Sequence, residues 1–143
     1  MALEMDTRPA AYAVIIEQGK MLLTHWTGER HPERAGWTLP GGGLEIGETA
    51  EEAVIREAYE ESGYDIQLDG ILGVDSKYYD DGRERPFHSL RILYRAIITG
   101  GKAEVTDIGG STDDVAWVPL EDLPKIRKVS LVEVAAKQYG LAY

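Results

Sequence analysis

The chain has 143 residues, 43% of them hydrophobic, which is enough to bury one core, and a single domain over residues 1–143 is expected. Its 15 Lys and Arg stand against 25 Asp and Glu, and this net charge of −10 excludes nucleic-acid binding through bulk positive charge. A small phosphorylated ligand stays open if cations separate the two negative partners, whereas the absence of cysteine excludes disulfides, thiolate catalysis and Cys-ligated metal centres.

The apolar run 10–16 falls far short of the roughly 20 residues of a membrane span. It follows Glu4 and Asp6 rather than a basic stretch, so it is a poor leader peptide and a cytoplasmic location is expected. Residues 11–17 read as a strand, 18–20 as a turn and 20–26 as the returning strand of a hairpin. A polar loop over 27–36 carries Arg30, His31 and Arg34, and residues 37–39 are a short extended piece. Pro40 and the glycines 41–43 break regular helix.

The strongest helix spans 48–62. Thr49 is its expected N-cap, with Glu52 in capping-box spacing and Gly63 at the stop, although Glu48 can equally belong to the preceding loop. Residues 65–79 form one or two strands and 87–99 another. A short strand over 115–118, a turn at 120–123 and a second helix over 130–139 follow. No repeat or linker divides the chain. Strands, helix, strands, helix fit a mixed sheet between two helices better than a repeating βαβ pattern.

On the first helix Glu57, Glu60 and Glu61 share an arc of about 100°. Ala50, Ala53, Val54 and Ala58 lie on or beside it, so the acids face protein or a cleft rather than open solvent. Crowded carboxylates repel, and a hard divalent cation with oxygen ligands offsets that repulsion. The adjoining glycines let backbone approach a ligand closely and turn a carbonyl toward metal or an amide toward phosphate.

Residues 42–64 resemble the signature of the Nudix hydrolases, G-x5-E-x7-R-E-U-x-E-E-x-G-U with U a bulky apolar residue. Gly42, Glu48, Arg56, Glu57, Glu60, Glu61 and Gly63 all match. Ala58 and Tyr64, at two U positions, depart from it. The resemblance implies an α/β fold, an α/β/α sandwich around a mixed β-sheet. It also implies hydrolysis of a nucleoside diphosphate linked to another moiety, with Mg²⁺ or Mn²⁺ as cofactor and a small-molecule nucleotide as substrate. Nucleotide sugars such as ADP-ribose, dinucleoside polyphosphates and nucleoside triphosphates remain open. So does a homodimer, which is common among similar proteins.

By the same resemblance Glu60, Glu61 and the Gly41 carbonyl are metal ligands. Glu57 is a further ligand or the general base, and Arg56 orients the glutamates, its spacing permitting ion pairs with Glu52 and Glu60. Glu57, Glu60 and Arg56 thus form the expected catalytic set. Arg34, Gly42, Gly43 and Tyr79 form the candidate substrate-binding set. An extra acidic ligand is expected from Asp113 or Asp114, Asp114 being preferred. Trp26, Trp37 and Trp117 read as core or sheet-face residues, and His25, His31 and His88 are isolated. Arg83, Arg85 and Arg91 either grip substrate or pair with nearby acids. Prenyl-diphosphate isomerisation on this fold needs a cysteine that is absent. A silent binding or sensing module is the alternative, and the intact glutamates favour the enzyme.

Overall fold

The computed structural model describes residues 4–80, 82 and 84–141, so Asp81 and Arg83 lie outside the described residues. The elements in chain order are β1 (Asp6–Val14), β2 (Ile16–Glu17), β3 (Lys20–Trp26), β4 (Gly36–Thr38), β5 (Gly41–Gly43), α1 (Ala50–Ser62), β6 (Tyr64–Tyr79), β7 (Phe87–Gly101), β8 (Thr112–Pro119) and α2 (Ser130–Tyr139). Short 3₁₀ turns occupy Pro32–Arg34 and Leu120–Lys125.

The strands form two sheets. One is mixed, in the order β5-β1-β7-β6, with β1 parallel to β7 and the other pairs antiparallel. In the second, β3 pairs antiparallel with β2, β4 and β8.

The expected hairpin of 11–17 with 20–26 is real only at its tip, where Ile16 pairs Met21 and Glu17 pairs Lys20. The chain changes sheet at Ile15. The strand before it runs back to Asp6, because parallel pairing with β7 extends through Asp6, Thr7 and Arg8 despite their polarity. The glycines 41–43, expected only to break helix, make an edge strand on β1.

Period-two alternation in the central strands builds two cores. Ala11, Ala13 and Ile15 join Leu22, Tyr94 and Ala96 under Val54 and Ala58 of α1. Val14 joins Met21, Leu23 and Leu93 under Leu131, Val132 and Ala135 of α2. Strands buried on both faces, with a helix over each core, give the α/β/α sandwich. The small Ala58 fits this arrangement: it is fully buried where α1 meets the sheet.

Both ends of α1 are set by local chemistry. The Thr49 hydroxyl accepts the Glu52 N–H at 3.1 Å, and the Glu52 carboxylate accepts the Thr49 N–H at 3.1 Å. Gly63 closes the helix at φ 79°. A Cβ there would stand 2.2 Å from the Lys102 carbonyl oxygen.

Thr49→Ala is therefore expected to lower unfolding free energy by about 1 kcal/mol. Gly63→Ala, which adds a backbone clash to a left-handed conformation, should cost at least about 2 kcal/mol. Urea denaturation of the two variants measures both, and equal losses would contradict the assignment.

Candidate active site

The site is assembled where α1 meets the glycine edge strand. In the antiparallel pairing Ala13 N–H donates to Pro40 O and Leu44 N–H to Pro9 O, so Gly41, opposite Tyr12, is a non-hydrogen-bonded position. Its N–H and carbonyl therefore turn away from β1. The N–H donates to Glu61 Oε1 at 2.8 Å. Gly41 holds φ 148°, and a Cβ would lie 2.2 Å from the Ala11 carbonyl oxygen, so only glycine fits. At Gly42 a Cβ would press on the Glu57 carboxylate at 3.1 Å.

Arg56 is the centre of the charge network. Its Nε and a terminal nitrogen fork onto Glu48 at 2.7 and 2.9 Å. Its other terminal nitrogen is shared by Glu57 at 3.1 Å and Glu60 at 3.3 Å. Glu52, expected as a partner of Arg56, is instead taken by the capping box. Glu48 belongs to the loop, and its carboxylate also accepts the Glu45 N–H at 3.0 Å. These bonds hold Glu48 down at a pKa of about 2, the Arg56 fork being the larger cause. Burial acts oppositely on the cleft acids. It raises Glu57, and it pushes Glu61 up to about 8 despite the donors on its carboxylate.

Glu57 and Glu61 open into a cleft of about 720 Å³, lined also by Gly41, Gly42, Gly43, Arg34 and Tyr79. The structure thus gathers most of the expected residues. Glu60 and Arg56 stand beside the cleft, connected to it through Glu57.

Asp113 and Asp114 are not brought there. Asp113 bonds His25 Nδ1 at 2.7 Å, and the Asp114 carboxylate accepts the Val115 N–H at 2.8 Å. The reason is a register shift: His25 pairs Asp114 and Trp26 pairs Thr112, leaving Asp113 as the extra residue of a bulge. Thr112 takes the inward place, and its hydroxyl donates to Glu61 Oε2 at 2.8 Å.

Sequence reading also missed Arg8, Tyr12 and Lys77 in the lining. Arg8 precedes the expected strand, and only the pairing of β1 reveals it. Its guanidinium lies across Gly43, where a Cβ would be 2.3 Å from Nε. Trp26, expected in the core or on a sheet face, lines the cleft too. Arg91 lines it while paired with Asp75, and Arg85 pairs with Glu4 and Asp6. Trp117 donates to the Tyr64 hydroxyl at 3.0 Å, which gives the aromatic residue at that signature position a partner.

The sequence model of the NUDIX domain matches residues 6–137. The chain belongs to the Nudix family. Nucleoside triphosphatase NudI of Klebsiella pneumoniae is 31% identical over 143 residues, covering 96% of this chain and 99% of that protein. The ADP-ribose pyrophosphatase of Methanocaldococcus jannaschii is 32% identical over 117 residues, covering 82% of this chain and 64% of that enzyme. Other curated relatives are longer: the chain spans 50% of one from Bacillus subtilis and 34% of one from Mycobacterium tuberculosis. The crystal structure of a MutT NUDIX hydrolase from Burkholderia pseudomallei matches with a TM-score of 0.69 at 29% identity, covering 93% of this chain and 98% of that one.

Nudix hydrolases work with divalent cations, and the donors here fit one. Glu57, Glu60, Glu61 and the Gly41 carbonyl offer hard oxygen, and burial leaves negative charge on Glu57 and Glu61 poorly solvated. Among the described residues no three acids form a finished cage.

The displaced pKa of Glu61 has a definite sign. Below about pH 4.5 Glu61 is protonated folded and unfolded alike; between there and about 8 only the unfolded chain ionises, so folding loses stability as pH rises. Glu48 acts in the opposite sense and only below its ordinary range, between about 4.5 and 2. In metal-free buffer the Tm of the parent should therefore fall relative to Glu61→Gln from about pH 5 to about pH 8. Parallel Tm curves in a thermal scan would refute the environment assigned to Glu61.

Proposed function

We propose that this chain hydrolyses a pyrophosphate bond in a nucleoside diphosphate linked to a second moiety, using Mg²⁺ or Mn²⁺. The observation that carries the reading is the composition of one cleft. Glu57 and Glu61 line it, together with Arg8 and Arg34, for which no ion pair is found among the described residues. Carboxylates for a cation and guanidiniums for phosphate oxygens are the two halves of a metal–diphosphate site.

In this reading Glu61, Glu57 and the Gly41 carbonyl hold the cation, with Glu60 beside them. A bound divalent ion supplies Lewis acidity and lowers the pKa of a coordinated water. Glu57 and Glu60 share one N–H-bearing nitrogen of Arg56, so each keeps lone pairs to accept the proton of the attacking water. Arg56 fixes both carboxylates through its fork on Glu48. Arg8 and Arg34 bind the phosphate oxygens that the cation leaves uncovered, and Gly42 and Gly43 let the diphosphate lie close to the backbone. Tyr79 and Trp26 supply aromatic faces for the nucleoside. Relatives named ADP-ribose pyrophosphatase and nucleoside triphosphatase support a nucleotide substrate and leave a nucleotide sugar and a triphosphate as the leading candidates.

Hydrolysis of a panel of nucleotide sugars, dinucleoside polyphosphates and nucleoside triphosphates with Mg²⁺ and with Mn²⁺ tests this, and ¹⁸O-water locates the cut. Glu57→Gln and Glu60→Gln should identify the base at saturating metal, where loss of the base lowers kcat about 10²–10⁴-fold, whereas loss of a ligand raises the metal concentration needed for half-activity. A Glu60→Gln/Glu61→Gln double variant that folds and keeps full turnover would overturn the metal roles.

A further inference from the structure

We propose that Thr112 is a positioning residue for Glu61, holding that carboxylate in its cation-binding orientation through a hydrogen bond. The inference rests on the reading of Glu61 as a metal ligand. Glu61 is held differently from its neighbours. Glu57 and Glu60 share a cation, Arg56, which cancels part of their charge. Glu61 is held by two neutral donors, one on each oxygen: the Gly41 N–H and the Thr112 hydroxyl, both at 2.8 Å. An ionised carboxylate offers about four lone-pair sites. Two neutral donors fix the plane of the group and use two of those sites without pairing it to a protein cation. The remaining lone pairs are then available to a metal.

The hydroxyl itself is held in place. Thr112 is only 8% exposed, and its pairing with Trp26 across the Asp113 bulge sets its direction. The segment leading to it is tied to the same helix. Glu104 N–H donates to Ser62 O at 2.8 Å, Thr106 N–H and Asp107 N–H donate to Glu60 O at 2.9 and 3.1 Å, and the Thr106 hydroxyl donates to Tyr59 O at 3.1 Å. Residues 104–112 thus satisfy the open carbonyls at the C-terminus of α1 and then return a donor to its last cleft-facing acid. The strap fixes both the helix end and the Glu61 rotamer, which neither α1 nor the glycine strand does alone.

The experiment is a Mn²⁺ titration read by electron paramagnetic resonance without nucleotide, on the parent, Thr112→Val and Thr112→Ser, with Tm recorded for each. Loss of an outer-shell donor typically weakens metal affinity 10–100-fold, so Thr112→Val should bind Mn²⁺ about 10-fold more weakly. Thr112→Ser, which keeps the hydroxyl, should recover parental affinity. In turnover, Thr112→Val should raise the metal concentration needed for half-activity and keep most of kcat at saturating metal. If valine prevents folding, Thr112→Ala removes the same donor and takes its place. Parental Mn²⁺ affinity in the folded valine or alanine variant, or no recovery in serine, overturns the inference alone. A parent that binds no Mn²⁺ overturns the metal-ligand reading of Glu61 and this inference with it.

Discussion

One guanidinium offsets the crowding of acids on the first helix of this protein. Glu57, Glu60 and Glu61 crowd one side of α1, and Glu48 approaches from the preceding loop. Like charges at helical spacing push such a helix toward unfolding. Arg56 reaches Glu48, Glu57 and Glu60 together, and its planar fork suits the bidentate grip on Glu48. Lysine would supply the charge without the fork. The pairing with Glu48 is the strong part; the bonds to Glu57 and Glu60 are longer and share one nitrogen. That inequality suits the chemistry proposed for the site. The loop acid anchors the arginine, and the two helix acids are steadied without being fully neutralised.

The sheet supplies the rest of the geometry. Because β5 is an edge strand of glycines, Gly41 can turn its amide and carbonyl away from β1 toward the helix, in a conformation that side chains resist. Gly43 leaves room for Arg8, which comes from the first residues of β1. The Gly41 N–H that holds Glu61 and the Arg8 guanidinium are thus placed by adjacent strands of a single sheet. The two cores beneath them share β1, so packing errors on either side are felt at the cleft. Substitutions at Gly41, Glu61 and Thr112 are therefore expected to couple rather than add.

What could be read from the sequence was local. The Thr49–Glu52 capping box, the Gly63 stop and the clustering of the glutamates depend on residues within a few positions of one another, and each is present in the structure. The features that escaped depend on pairing over long separations. Nothing in the residues around Ile15 announces that the chain changes sheet there. Three glycines carry no side-chain alternation, so their role as a strand is invisible until β1 lies beside them. The bulge at Asp113 is the sharpest case. Two aspartates before a Trp-containing strand look like metal ligands, but one extra residue opposite His25 and Trp26 leaves Thr112 pointing at Glu61. A one-residue shift reverses which side chain faces inward, and residue type alone cannot report it.

The remaining problem is how a phosphorylated molecule approaches a chain of net charge −10. At physiological salt the screening length is about 8 Å, so most of that charge is hidden from an anion at the mouth of the cleft. What it meets is local. Arg8, Arg34 and Lys77 line the opening, with Arg91 largely neutralised by Asp75, and the buried glutamates lie on the α1 side. Guanidiniums alone do not make that side attractive, since any charge that Glu57 and Glu61 carry repels phosphate. A cation held by them would reverse the sign of the field met by the proposed diphosphate, and would lower the raised pKa values that burial imposes. In the proposed site, metal and substrate would each make the other's binding more favourable. The acidity of the chain is thus compatible with an anionic substrate, because the charge that matters lies within a Debye length of the helix.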